Sequence, residues 1–170
     1  MSTLPQALLK CVLGASFLQW PAFQINAAEK FNVIVNGEPI AVYRTADLET
    51  ASKEASAAHK AVAWIASSPK VLDGKGTISQ TTPRGATLHA LFALRHRTVL
   101  VFMDAYEENH KVPRFIDEAL HTPDPHYTPP TVLLLSSDAK KVIATVTYEP
   151  DFVKRAKALA KALDDAKGSL

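Results

Sequence analysis

The sequence predicts an α/β fold, a mixed sheet flanked by helices on both faces and preceded by a short β-hairpin. Two continuous apolar runs of strand length, 61–66 and 98–103, enclose a segment of helical periodicity, which is typical of parallel strands joined by a crossover helix. Two further apolar runs, Thr131–Leu135 and 142–148, are separated by a short polar turn and predict an antiparallel pair. An amphipathic stretch that begins near Pro150 closes the chain.

The composition is that of one globular domain. The 170 residues are 47% hydrophobic and 21% charged, so the chain can bury a core, and its length suits a single unit. A net charge of +2 with interspersed signs gives too weak a field to favour a nucleic acid as partner. The single cysteine, Cys11, excludes an internal disulfide, a multi-thiolate zinc site and dithiol chemistry within one chain.

Residues 1–28 have the pattern of an export signal. Lys10 precedes 13 mostly apolar residues, 11–23, a length that suits a signal peptide and is too short to span a bilayer. Small residues at Ala27 and Ala28 offer a cleavage point. This pattern predicts a periplasmic or secreted protein that has no stable membrane insertion after cleavage and no thiol in its mature form. An amino-terminal core helix or an uncleaved anchor is the alternative interpretation.

The leading hairpin is predicted over residues 29–44. Phe31–Val35 and 40–43 are β-prone runs. Asn36 and Gly37 lie between them and tolerate the positive φ of a tight hairpin turn, so the two runs are expected to pair.

The helices are marked by caps and by apolar periodicity. Thr45 is the predicted N-cap of the first helix, and Thr82 followed by Pro83 predicts the start of the second, after a loop of about 14 residues. Helices are predicted over 46–60, 83–96, 112–120 and from Pro150 onward. The apolar face of the last helix is predicted to consist of Phe152, Val153, Ala156, Leu159, Ala160 and Leu163.

The order of elements from residue 46 onward resembles the thioredoxin fold. Three local features add to the likeness: the alanine-rich first helix, the segment 128–132 that enters a strand, and the final hairpin and helix. The resemblance implies a thioredoxin-like domain over 45–170. In the family an X-Pro-Thr segment at this place carries a cis-proline, so the resemblance also implies a cis bond before Pro130.

The resemblance does not extend to the chemistry of the family. The family places Cys-x-x-Cys between the first core strand and the next helix, where the helix dipole lowers the pKa of a thiol. Thr81-Thr82-Pro83-Arg84 can be laid over that motif, retaining the proline without either thiol. Neither a threonine hydroxyl nor a guanidinium forms a disulfide, so disulfide oxidoreductase, isomerase and thiol-peroxidase activities do not carry over.

The corner without thiols is the candidate binding site. In this topology the carboxyl ends of the strands and the amino end of the second helix share one edge of the sheet, where open α/β sheets bind ligands. A peptide, a protein or a small anion could bind to free N–H groups at the helix start, to Arg84 and to exposed backbone beside Pro130. In the alternative interpretation Thr82 is only a cap, Arg84 is solvated and Pro130 belongs to the scaffold. We expect this edge to gather Ser67, Ser68, Thr81, Thr82, Arg84, Asp104, Tyr106, Tyr127, Thr128 and Pro130.

A metal-binding protein or a non-thiol enzyme is the alternative from another class. Its side chains would be Asp104, His110, His121, Asp124 and His126, which offer oxygen and nitrogen ligands suited to zinc or a similar ion. Their spacing matches no established metal signature. The sequence also contains no phosphate loop and no nucleophile–base motif, so no cofactor is predicted. The sequence therefore predicts an exported thioredoxin-like protein without dithiol redox activity that serves as a binding or scaffold module.

Overall fold

The computed structural model describes residues 30–71, 82–106, 112–122 and 128–167. The export signal predicted over 1–28, the site residues Thr81 and Tyr127, and the metal-ligand candidates His110, Asp124 and His126 lie outside the described residues. The elements are β1 (Phe31–Val35), β2 (Glu38–Arg44), α1 (Leu48–Ala57), β3 (Ala61–Ser67), α2 (Pro83–Leu94), β4 (Thr98–Asp104), α3 (Arg114–Leu120), β5 (Thr131–Leu135), β6 (Val142–Val146) and α4 (Phe152–Lys167). The predicted α/β class is confirmed, and none of these four helices is long and apolar enough to cross a membrane.

The six strands form one mixed sheet in the order β1-β2-β4-β3-β5-β6. Strands β2 and β3 run parallel to β4, whereas β5 is antiparallel to both β3 and β6. The predicted hairpin is confirmed, because Asn36 and Gly37 have φ angles of 52° and 81° and connect the antiparallel strands β1 and β2. Its second strand also pairs with β4, so the hairpin belongs to the same sheet as the rest of the described chain.

The core consists of two hydrophobic clusters that share β3. Ala61, Ala63 and Ile65 belong to the first cluster, which also contains buried residues of α2 and α4. Val62 and Trp64 belong to the second cluster, which contains buried residues of α1 and α3. Successive side chains of a strand point to opposite faces, and this explains why the apolar run of β3 is unbroken.

Two local predictions differ from the structure. Thr45 does not cap α1, because its hydroxyl donates to the carbonyl oxygen of Phe102 at 3.2 Å and the helix starts three residues later. On α4, Val153 is 58% exposed and Ala160 is exposed, while Arg155 is only 3% exposed. Apolar periodicity placed α4 correctly but could not show that a charged side chain takes part in its buried face.

Candidate functional site

The amino end of α2 begins with the cap that the sequence predicts. Thr82 has extended backbone angles, and its hydroxyl oxygen accepts a hydrogen bond from the N–H of Gly85 at 3.1 Å. Pro83 has no N–H, and the N–H of Ala86 donates to the carbonyl oxygen of Thr82 at 2.8 Å. The N–H groups of Gly85 and Ala86 are therefore bonded within the chain. This leaves fewer free N–H groups for binding an anion than the sequence predicts.

A chain of two buried hydroxyls connects β3 to α2. The oxygens of Ser67 and Thr87 lie 2.6 Å apart, and Thr87 also donates to the carbonyl oxygen of Pro83 at 2.9 Å. A hydroxyl has one proton, so Thr87 accepts from Ser67 and Ser67 is the donor. The proton of Ser67 is therefore used in the hydrogen bond to Thr87. The oxygen of Ser67 can still accept a further hydrogen bond.

Sequence analysis did not single out Thr87. It lies inside α2 and is fully buried, so apolar periodicity gives no sign of its role. Its spacing of four residues from Pro83 is the signal that could have found it, because a helical threonine can donate to the carbonyl oxygen of the residue four positions earlier.

A pocket of about 270 Å³ lies at the carboxyl end of β3. Four segments of the described chain surround it, namely the end of β3 with the turn after it, the first turn of α2, the residues after β4, and the residues before β5. Its described lining residues are Ser67, Ser68, Lys70, Pro83, Arg84, Tyr106 and Pro129. We call this the carboxyl-edge pocket.

The pocket gathers some of the predicted site residues and not others. Ser67, Ser68, Arg84 and Tyr106 line it as expected, whereas Lys70, Pro83 and Pro129 are additions from the structure. Thr82 and Thr128 are exposed without lining the pocket, and Pro130 is buried. The bond between Pro129 and Pro130 is cis, as predicted.

Asp104 lines a different and larger pocket, of about 490 Å³. There it lies with Arg44, Thr45 and Phe102, at the end of β4 and the start of the segment that leads into α1. A hydrogen bond connects Asp104 to the carboxyl-edge pocket, because its carboxylate accepts the N–H of Tyr106 at 2.9 Å.

The described side chains of the carboxyl-edge pocket offer charged and aromatic contacts to a ligand. Lys70 and Arg84 are exposed cations at its rim, and Tyr106 is 68% exposed. Among the described lining residues there is no histidine and no carboxylate, so none of them can serve as a general base for Ser67. The hydroxyl of Ser67 donates to Thr87 instead, which is not a base.

The predicted metal site is represented by two of its five residues. Asp104 lies in the larger pocket, while the Nδ1 atom of His121 is 2.9 Å from the carbonyl oxygen of Asp117 in its own helical turn. Within residues 30–71, 82–106, 112–122 and 128–167, no group of three or more His, Cys, Asp or Glu side chains is arranged to hold a metal ion. The metal-binding alternative stays a prediction.

The chain matches no protein-family model, no curated protein and no solved structure. The resemblance to the thioredoxin fold accordingly stays a prediction too. The function is therefore argued from the topology of the sheet and from the geometry of the carboxyl-edge pocket.

Proposed function

We propose that the chain is an exported thioredoxin-like protein without dithiol redox activity that binds an acidic peptide segment at the carboxyl-edge pocket. The fold proposal is supported by the parallel pair β3–β4 joined through α2 and by the antiparallel pair β5–β6 followed by α4. Helices on both faces are supported by the two core clusters, because α2 and α4 pack with one set of β3 residues and α1 and α3 with the alternate set. Export is supported by the apolar run 11–23.

The absence of redox activity follows from the side chains at the start of α2. Dithiol exchange needs a thiolate that attacks a disulfide sulfur and a second thiol that completes the exchange. Cys11 is the only cysteine of the chain, and the two positions laid over the family's thiols are Thr81 and Arg84. Neither a threonine hydroxyl nor a guanidinium can take over this chemistry.

The preference for an acidic peptide comes from the lining of the pocket. Lys70 and Arg84 place two positive charges at its rim, while the described lining residues carry no negative charge. The oxygen of Ser67 can accept a hydrogen bond from a peptide N–H, because its own proton is given to Thr87. Tyr106 adds an exposed ring, a side chain that binding surfaces often use. The juxtaposition of both cations with Ser67 is the observation that carries the proposal.

Fluorescence polarisation with a panel of labelled acidic, neutral and basic peptides of equal length tests the proposal. We expect acidic peptides to bind most tightly. Arg84→Ala and Lys70→Ala should each weaken that binding roughly 1.5- to 5-fold, the effect of losing one exposed charge contact. Lys161→Ala is the matched control, because Lys161 is an exposed cation on α4 outside the pocket.

Two results would contradict the proposal. If acidic and basic peptides bind with equal affinity, the charges of Lys70 and Arg84 do not select the ligand. If Lys161→Ala and Arg84→Ala lower the affinity for the acidic peptide equally, the binding surface lies elsewhere. An insulin-reduction assay on the same protein addresses the redox half of the proposal separately. Catalysed reduction of insulin above the rate of the buffer would overturn it.

A further inference from the structure

Among the strands of residues 30–71, 82–106, 112–122 and 128–167, β1 lies at one end of the sheet and has no partner on its outer edge. β1 is the first strand in the sheet order, and its five residues pair with β2 on one side only. In a hairpin closed by a two-residue turn, the pair next to the turn is hydrogen-bonded and the pairs then alternate. Val35 pairs with Glu38 beside the turn, so Val33 and Phe31 also direct their main-chain groups to β2. The N–H and C=O groups of Asn32 and Ile34 therefore point away from β2.

Two observations support this assignment of the ladder. Pro39 lies opposite Ile34, and a proline fits a position that donates no hydrogen bond to its partner strand. Within the described part of the chain, the main-chain groups of Asn32 and Ile34 make no hydrogen bond to any element other than β2. The outer edge of β1 thus presents two donors and two acceptors.

The composition of β1 leaves this edge open to pairing. Sheet edges are usually protected by a charged residue, a proline or a bulge, and the sequence Phe-Asn-Val-Ile-Val has no charge and no proline. Ile34 is an exposed large apolar side chain, at 37% exposure. At the opposite end of the sheet, β6 directly follows Lys140 and Lys141, and α4 packs against it.

We propose that β1 pairs antiparallel with β1 of a second copy of this chain, centred on Val33. In this register Asn32 lies opposite Ile34 of the second copy, and Val33 lies opposite itself. All outward N–H and C=O groups of both strands are then paired, giving four hydrogen bonds across the interface. A register shifted by two residues in either direction forms only two hydrogen bonds within the strands.

Side chains favour a second copy of the chain over an unrelated peptide. The inward-facing residues Val33 and Val35 are already fully buried in the first core cluster, so the side chains that meet across the new pair are the exposed ones of Asn32 and Ile34. No like charges meet, because β1 carries none. Identical strands that pair about a two-fold axis form a closed dimer and leave no further free β1 edge. The inference does not depend on the carboxyl-edge pocket.

Sedimentation velocity of the full chain over a wide concentration range tests the pairing. We expect a species of twice the 18.5 kDa chain mass whose population rises with concentration, since a single strand pair buries little surface. Ile34→Pro should abolish the dimer, because it removes an outward N–H while the ladder to β2 keeps its bonds. Ile34→Thr is the matched control, since it keeps the N–H and a β-branched side chain, and it should dimerise like the wild type.

Cysteine cross-linking tests the register without relying on the proline variant. In a Cys11→Ser background, Val33→Cys places two thiols opposite each other at a spacing that permits a disulfide. Val35→Cys is the control, because its thiols are separated along the strands by several residues. We expect cross-linking through position 33 and none through position 35. A wild type that is monomeric at the highest soluble concentration, an Ile34→Pro variant that dimerises like the wild type, or no cross-link at position 33 would overturn the proposal.

Discussion

The direction of the hydrogen bond between Ser67 and Thr87 predicts that substituting its two partners lowers the stability by unequal amounts. Ser67→Ala removes the donor and leaves Thr87 bonded to the carbonyl oxygen of Pro83, so its cost is that of one net hydrogen bond, about 1 kcal/mol. Thr87→Val removes both bonds and leaves the hydroxyl of Ser67 buried without its acceptor. The cost of an unsatisfied buried polar group is about 1–3 kcal/mol, so the Thr87 variant should be the less stable one.

The double variant separates this coupling from the two individual losses. Once Ser67 is alanine, Thr87→Val no longer leaves a buried hydroxyl without its acceptor. We therefore expect the double variant to lose about 1 kcal/mol less than the two single losses added together. The free energies of unfolding are measured by urea denaturation, with an unchanged m-value as the sign that the denatured state is the same.

A distant threonine provides the control for this cycle. Thr145→Val changes an exposed residue of β6, and its effect should add to that of Ser67→Ala within about 0.5 kcal/mol. Additive effects of Ser67→Ala and Thr87→Val, or a Thr87 variant no less stable than the Ser67 variant, would refute the assigned direction of the hydrogen bond. The conclusion that Ser67 can accept a hydrogen bond from a ligand would then lose its basis.

Three further predictions concern stability and processing. The hydroxyl of Thr131 is buried and has no hydrogen-bond partner in the described part of the chain, so Thr131→Val should raise the free energy of unfolding by about 1 kcal/mol; a loss of that size would reveal a partner. Thr82→Val should lower the melting temperature through loss of the α2 cap, at a cost of about 1 kcal/mol, and an unchanged melting temperature would contradict the role of the cap. Amino-terminal sequencing of protein secreted by its native host should begin near Glu29, and recovery of Met1 would exclude a cleaved signal.

The strands were predictable because their signals are local. Each strand that is buried on both faces appears in the sequence as an apolar run. The turn between β1 and β2 is specified by Asn36 and Gly37, which tolerate its positive φ angles. The cap at Thr82 was equally visible, since it needs only Thr82 and the adjacent Pro83. In each case the residues that determine the structure are neighbours in the chain.

The misses concern contacts between residues that are distant in sequence. Tyr43 pairs with Val101, and Thr45 donates a hydrogen bond to the carbonyl oxygen of Phe102. Neither contact can be recognised from the pattern of apolar and polar residues around Tyr43 or Thr45. The carboxyl-edge pocket was only partly predicted for the same reason. Lys70 lies in a single 3-10 turn and Pro129 in the loop before β5, and segments this short have no periodicity from which the direction of a side chain could be predicted.

A buried pair of basic side chains connects α2 to α4. His89 is 8% exposed, and Arg155 is 3% exposed. The Nε atom of Arg155 donates to Nδ1 of His89 at 3.2 Å, which requires an unprotonated Nδ1. Arg155 also donates to the carbonyl oxygen of Glu149 at 2.6 Å, and the ring of Phe152 lies 4.4 Å from the ring of His89. The folded protein therefore holds His89 in its neutral form.

This arrangement predicts that the protein loses stability in mild acid. Burial, and then the positive charge of Arg155, lower the pKa of His89 below its usual value of 6.5. The unfolded chain consequently binds a proton at this site more readily than the folded chain does. The contribution of His89 to stability is thus complete above about pH 6.5 and decreases as the pH falls toward the lower pKa of the folded state. His89→Gln should remove this contribution, because its amide oxygen can accept from Arg155 without titrating.

Urea denaturation of wild type and His89→Gln from about pH 8 to about pH 5 measures the effect, since histidine titrates in this range. The other ionisable groups are common to both proteins, so the difference between the two stability curves isolates His89. We expect the wild type to lose stability relative to the variant as the pH falls below 6.5. Parallel curves would show that His89 has the same proton affinity in the folded and unfolded states. A wild type that gains stability over the variant in acid would show that His89 is protonated in the folded protein, which would contradict its role as the acceptor for Arg155.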